Sequence, residues 1–268
     1  MGDDNRAARN LMTDQAEPPA AAFDANELAR PTLPPLRIHH IMLWTVVTAA
    51  TLSAIRVYFS ANTDGQPFAE EPFGALLIVF FSTLASGAMV VSGLGIYWRK
   101  HGYAFNEPGQ RLAIDIAVRS LLVALFYSIG LLIERSSSPP SGQVFFVFTS
   151  LGFLAVAIFQ IFLARPLSQL WKVLFWCKAG FLVSACVLLW VMDQVIRSRV
   201  FLDVAPFMIL GGYCVLILLQ LFGIRQDRKH QRRRHWTHWY GLLAHLAINS
   251  AIAIGTALAL IAFIASRW

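Results

Sequence analysis

Charge is what this chain most lacks. Lys, Arg, Asp and Glu make up 14% of its 268 residues, against about a quarter in ordinary soluble domains, while hydrophobic residues reach 57%. That shortage excludes a water-solvated domain, because a soluble helix needs one apolar stripe and not an apolar circumference. Cysteine is scarce too. The three present, Cys177, Cys186 and Cys214, are odd in number and all lie in apolar runs, which excludes a disulfide framework and reads as small hydrophobic packing. There is no glycine-rich phosphate loop, no Ser-His-Asp set and no paired-carboxylate arrangement. Nucleotide-driven and hydrolytic chemistry therefore have no carrier, no catalytic residue is assigned, and the chain reads as non-enzymatic. No metal site and no cofactor are expected either, since no convergent set of about four ligands is legible.

What the sequence has instead is length in its apolar runs. A bilayer core of about 30 Å needs roughly 20 apolar residues in a helix. Seven runs satisfy this: Ile38–Phe59, Phe73–Trp98, Leu112–Ile133, Val144–Leu163, Leu170–Met192, Val204–Ile224 and Tyr240–Ala265. The expected fold is thus all-α, a polytopic bundle of seven transmembrane helices over residues 37–268. Turn residues occupy the gaps, and the short fourth gap around Arg165-Pro166 predicts an antiparallel hairpin. Residues 1–36, rich in Ala, Pro, Asp and Asn without apolar period, read as a disordered cytoplasmic tail without the pattern of a cleaved signal peptide.

Orientation follows from the basic residues, which concentrate on cytoplasmic loops. Counted by gap, fifteen Lys and Arg fall on the side of the N-terminus and five on the other, with Arg119 and Lys178 inside spans. This predicts the N-terminus in the cytoplasm and the C-terminus outside. Such an orientation excludes a rhodopsin-like protein, which runs the other way and carries a lysine in its last span; here that span has none.

The polar residues inside the runs share a depth. Asp115 and Arg119 come early in the third run, Lys178 early in the fifth, and His245 and Asn249 early in the seventh, while Gln160 and Gln220 end even-numbered runs at the same side. Charged groups in hydrocarbon cost several kcal/mol and pair with one another inside a bundle. The expectation is a polar layer in the cytoplasmic half, with Asp115 neutralising Arg119 or Lys178. A plainer reading, in which Arg119 and Lys178 snorkel to the interface, stands beside it. His235, His238, His245 and Asn249 would share a helical face, and His245 with His39 or His40 is the one pair suited to haem.

Three further features complete the reading. The basic loop with Arg225, Arg228, Lys229, Arg232, Arg233 and Arg234 fits a cytoplasmic slot facing anionic lipid headgroups rather than nucleic acid. The stripe Ala247, Ala251, Gly255 and Ala259 lets a helix approach closely, from the same bundle or from a second copy. His245-x-x-x-Asn249 resembles one motif of CAAX-type intramembrane metalloproteases, but Glu70-Glu71 is followed by Ala75 where those enzymes need arginine, and the activity is not carried over.

The segment Leu36-Arg-Ile-His-His-Ile-Met-Leu-Trp-Thr45 resembles the start of uncharacterised multi-pass membrane proteins of planctomycete-type bacteria. The likeness covers ten residues and implies a bacterial cell-membrane location. Function is then expected to be of transporter or channel type, with a polar vestibule on the cytoplasmic side. The alternatives are a structural or sensory component with that layer sealed, and a haem-binding redox carrier.

Overall fold

The computed structural model describes residues 34–62, 72–103, 105–136, 143–195, 199–229 and 234–266. Among them every regular element is a helix: α1 Ile38–Asn62, α2 Pro72–Lys100, α3 Pro108–Ser136, α4 Gln143–Ala164, α5 Gln169–Val195, α6 Arg199–Lys229 and α7 Trp236–Ala265. Six of them, α2 to α7, are long and apolar enough to cross a membrane. The first expected run also forms a helix, but its described apolar stretch, Ile38–Ser53, is shorter. The expected tail lies outside the described residues except for Pro34, Leu36 and the residue between them.

Local chemistry sets the ends. Gly102, at φ +82°, closes α2 in the left-handed conformation that costs glycine nothing. The Tyr103 N–H then reaches Trp98 O at 3.1 Å and the Gly102 N–H reaches Arg99 O at 3.2 Å, a Schellman closure. Pro108 opens α3 at the position where its missing N–H costs nothing. Gln110 Oε1 accepts the Glu107 N–H at 3.0 Å, the returning half of a capping box. Arg165–Ser168 form a short turn between α4 and α5, and the two helices pack as the expected hairpin.

The helices form a ring. α3 packs on α4, α4 on α5, α5 on α6, α6 on α7, and α7 returns to α3. α2 lies outside against α3 and α7, with α1 against α2. The closure between α3 and α7 is backbone on backbone. A Cβ added to Gly241 would stand 1.7 Å from Gly109 O, and one on Gly109 would stand 1.9 Å from His238 O. This glycine pair, rather than the Ala247, Ala251, Gly255 and Ala259 stripe, brings the helices together. Ala247 and Ala251 are only half-buried, Gly255 and Ala259 are exposed, and a Cβ on Gly255 would meet nothing within 4 Å.

Apolar packing seals the ring at one end, where Leu112, Leu163, Trp171, Leu174, Phe175 and Leu242 form one buried cluster. Outward-facing residues such as Leu121, Leu125, Leu218, Leu243, Ile254 and Ile261 are exposed and apolar. The chain therefore inverts the soluble pattern, with hydrocarbon-compatible side chains outside and hydrogen-bonded polar ones within.

Candidate functional site

Each of the five ring helices contributes a buried polar side chain: Asp115 from α3, Gln160 from α4, Lys178 from α5, Gln220 from α6, and His245 with Asn249 from α7. Asp115, Gln160, Gln220 and His245 are 0% exposed, Asn249 1% and Lys178 3%, so the layer is closed to solvent. Lys178 is the tenth residue of α5, and its ammonium is turned into the ring and bound to Asp115 instead of reaching toward an interface.

The hydrogen bonds run in one chain. Lys178 Nζ donates to Asp115 Oδ2, and the Gln160 amide donates to Asp115 Oδ1 at 2.8 Å. Lys178 Nζ also reaches His245 Nε2 at 2.6 Å. An ammonium has only donors, so Nε2 is the acceptor and the proton of a neutral imidazole sits on Nδ1. That assignment fits the other side of the ring. Nδ1–H lies 2.6 Å from Gln220 Oε1, and the Gln220 amide donates onward to Leu242 O at 2.6 Å. Asn249 sits one turn beyond, its Nδ2 at 3.2 and 3.4 Å from the two ring nitrogens, and its Oδ1 is buried without a partner.

The structure chooses between the two expected partners of Asp115. Lys178 takes the carboxylate. Arg119 forms no ion pair with it among the described residues, although it stands close enough to act electrostatically on Lys178, His245 and Tyr213. Arg119 is half-buried, the twelfth of the 29 residues of α3. Snorkelling therefore does not describe Lys178. Nor does the geometry suit haem: both His245 ring nitrogens are engaged, and His40 Nδ1 takes the Arg37 N–H at 3.1 Å. Among the described residues no cluster of His, Cys, Asp and Glu is arranged to hold a metal ion.

A second polar cluster, not singled out in the sequence, lies at the Trp236 end of α7. Arg234 Nη2 pairs with Asp227 Oδ1 at 3.1 Å, and Nη1 lies 3.9 Å from Glu107 Oε1. His238 is wedged between the two acids. Its Nδ1 accepts the Gly109 N–H at 3.1 Å and stands 3.8 Å from Glu107 Oε2, while its Nε2 stands 3.9 Å from Asp227 Oδ2. Below it, the Gln110 amide donates to Thr237 Oγ1 at 2.9 Å. Burial raises the Glu107 carboxyl above its ordinary value, and Asp227 adds to this, while Arg234 and the His235 backbone N–H pull the other way. This revises the basic loop. Arg225 and Arg228 lie exposed on the last turns of α6, but Arg234 turns inward to the two carboxylates; the Lys229 side chain, Arg232 and Arg233 lie outside the described positions.

His235 ties this end to the N-terminal segment. Its Nε2–H donates to Pro34 O at 2.7 Å, and its Nδ1 accepts the Thr237 N–H at 3.4 Å as the N-cap of α7.

The signal that could have found the second cluster was spacing. His238 precedes His245 by seven residues and Asp227 follows Gln220 by seven, which places each pair on one helical face, two turns apart. Chemically, the inner layer holds three titratable groups in direct contact within a sealed ring. A proton added to Asp115 removes the counter-charge of Lys178, and one added to His245 Nε2 sets two cations against each other, so either event upsets the charge balance of the network. Compared with family models, curated proteins and solved structures, the chain matches none.

Proposed function

We propose that this chain is a seven-span protein of the bacterial cytoplasmic membrane, N-terminus in and C-terminus out, in which the sealed Asp115–Lys178–His245 network is a protonation switch. Its role on this reading is that of a sensory or coupling component rather than an open pore. The topology is supported by the fifteen-to-five distribution of basic residues and by the 25-residue length of α1. The switch rests on one observation: three titratable side chains from three helices are hydrogen-bonded to one another, none more than 3% exposed. Ionisable groups at such depth are costly in a bundle whose only task is packing, which makes function their default explanation.

Cysteine accessibility tests the seal. With Cys177, Cys186 and Cys214 replaced, single cysteines at Ala179 and Ala244, both buried beside the network, are treated with a membrane-impermeant thiol reagent from the cytoplasmic side. The proposal expects protection at both. Labelling at either would replace it with the transporter reading and its wet cytoplasmic vestibule. That second reading has its own support in Arg119, a half-buried cation inside α3 without an ion pair among the described residues, as an anion pathway would use. A reporter fused after Trp268 that works only in the cytoplasm would overturn the orientation.

A further inference from the structure

Outside the ring, α1, α2 and α7 leave a crevice of about 230 Å³ between them. Its walls are apolar and aromatic: Ile41 and Trp44 from α1, Gly87 and Val90 from α2, Tyr240 from α7. At about 30 Å³ for a group of water or methylene size, it holds roughly eight such groups, a stretch of one acyl chain. Its rim faces the surroundings, since Leu36 is 49% and Ile41 48% exposed.

The floor of the crevice is set by Gly87, on which the Trp44 and Tyr240 rings seat directly. Gly87 has no side chain, and a Cβ there would stand 2.1 Å from Tyr240 Oη and 2.8 Å from Trp44. The polar handles of both aromatics are turned into α2, where the Tyr240 hydroxyl donates to Leu84 O at 2.8 Å and the Trp44 indole donates to Thr83 O at 3.1 Å. Their apolar faces are thus left for the crevice.

One end differs. His40, only 5% exposed, uses Nδ1 to accept the Arg37 N–H and has no acceptor for Nε2 among the described residues. Trp236, stacked on it with ring centroids 5.8 Å apart, has its indole N–H buried without an acceptor among the described residues. Arg37 carries an exposed side chain at the same end, close enough to act electrostatically on His40. Two unpartnered N–H donors and one guanidinium at the mouth of an apolar slot call for an acceptor-rich anion attached to a hydrocarbon tail.

We infer that this crevice is a binding site for one anionic phospholipid, with its phosphate at Arg37, His40 and Trp236 and one acyl chain along Trp44, Gly87 and Tyr240. Free phosphate does not fit the apolar length, and a zwitterionic lipid gains less from Arg37. The inference rests on the chain residing in a membrane but not on the switch in the ring, so labelling at Ala179 or Ala244 leaves it untouched.

The test uses the full chain in neutral detergent, with phosphatidylglycerol and phosphatidylcholine as the added lipids. Phosphatidylglycerol should raise the melting temperature more than phosphatidylcholine does. Arg37→Gln should weaken the affinity for phosphatidylglycerol about fivefold, read as a shift of the lipid titration to higher concentration, the contribution of one basic residue at an anionic lipid surface. Ile41→Trp, which fills the slot from its exposed rim, should abolish the response to both lipids while leaving the lipid-free melting temperature in place. Native mass spectrometry should find one lipid retained by the wild type and lost from Ile41→Trp. Equal stabilisation of the wild type by the two lipids, or an undiminished response in Ile41→Trp, would overturn the site.

Discussion

Two polar clusters lie along the same three helices, α3, α6 and α7, about 10 Å apart by helical rise. In the inner one, Asp115 uses both oxygens, His245 uses both ring nitrogens, the charged partners are 0% and 3% exposed, and the atoms without a partner among the described residues, Gln160 Oε1 and Asn249 Oδ1, belong to neutral amides. In the outer one, Glu107 Oε2, Asp227 Oδ2, Arg234 Nε and His238 Nε2 all lack a hydrogen-bond partner among the described residues, and three of the four ion-pair distances are 3.8 or 3.9 Å. Its Arg234, Asp227 and Glu107 side chains keep 12%, 20% and 23% of their surface exposed. The difference follows depth. Mid-span there is no water to substitute for a missing bond, so a buried charge persists only where the protein supplies every contact. Near the end of the spans the charged side chains keep part of their surface exposed, so solvent screens them and looser ion-pair geometry is tolerated.

The strongest way to break that contrast is to remove one cation from each cluster. Lys178→Met leaves Asp115 buried and uncompensated and should cost about 3–5 kcal/mol, whereas Arg234→Met should cost about 1 kcal/mol or less. Thermal unfolding in detergent, followed by tryptophan fluorescence, reads both. The double change Asp115→Leu with Lys178→Met should restore most of the lost stability, because a pair replaced by apolar groups leaves nothing unsatisfied. Equal costs for Lys178→Met and Arg234→Met would mean that the inner layer is hydrated after all.

The next largest effect concerns how the ring is closed. Gly241→Ala pushes a methyl onto the Gly109 carbonyl and should cost about 1–3 kcal/mol. Gly255→Ala meets no neighbour and should stabilise α7 by roughly 0.5–1 kcal/mol through the lower conformational freedom of alanine. If the order were reversed in the same unfolding measurement, the small-residue stripe and not the glycine pair would be the seat of α7.

Most of the helices were legible because twenty-residue apolar runs admit one structure in a bilayer. Asp115, Gln160, Lys178, Gln220, His245 and Asn249 were legible as a layer because they share a depth, and depth follows directly from span order. What stayed hidden was azimuth. Arg119 and Lys178 compete equally for Asp115 in sequence, and only the rotation of α3 within the ring gives the carboxylate to Lys178. Arg234 reads as one more basic loop residue until the ends of α3 and α6 bring Glu107 and Asp227 beside it. The Gly109–Gly241 contact was hidden for a similar reason. Either glycine alone looks like a helix-end residue, and their meaning lies in meeting each other across two helices 132 residues apart in sequence.

Proton titration sharpens the comparison at the outer cluster, where two groups respond with opposite sign. Glu107 is raised by burial, so the folded chain holds its proton at a pH where the unfolded chain has released it. Its contribution to stability is present below the ordinary carboxylate value of 4.5 and is lost as pH rises through the raised folded value. Glu107→Gln should remove that loss, flattening the melting temperature above pH 4.5 by an amount that a series of pH scans can read.

His235 runs the other way, and its effect is the smallest. Burial lowers it from 6.5, opposed by its bond to Pro34 O, so the unfolded chain binds the proton first and stability falls as pH drops below 6.5. The structural cause is the cap itself. Protonation places a hydrogen on Nδ1, which then no longer accepts the Thr237 N–H, and the first turn of α7 loses a partner worth about 1 kcal/mol. His235→Asn keeps an acceptor at that position and removes the titration, so its melting temperature should hold steady between pH 6.5 and 5 where the wild type declines. His235→Ala should lie below the wild type at pH 8 and meet it in acid. Both are best measured in the Glu107→Gln background, which silences the opposing carboxyl. An acid decline that survives in His235→Asn would move its origin inward, from the partly exposed cluster to the sealed one, and would make His245 the group to examine.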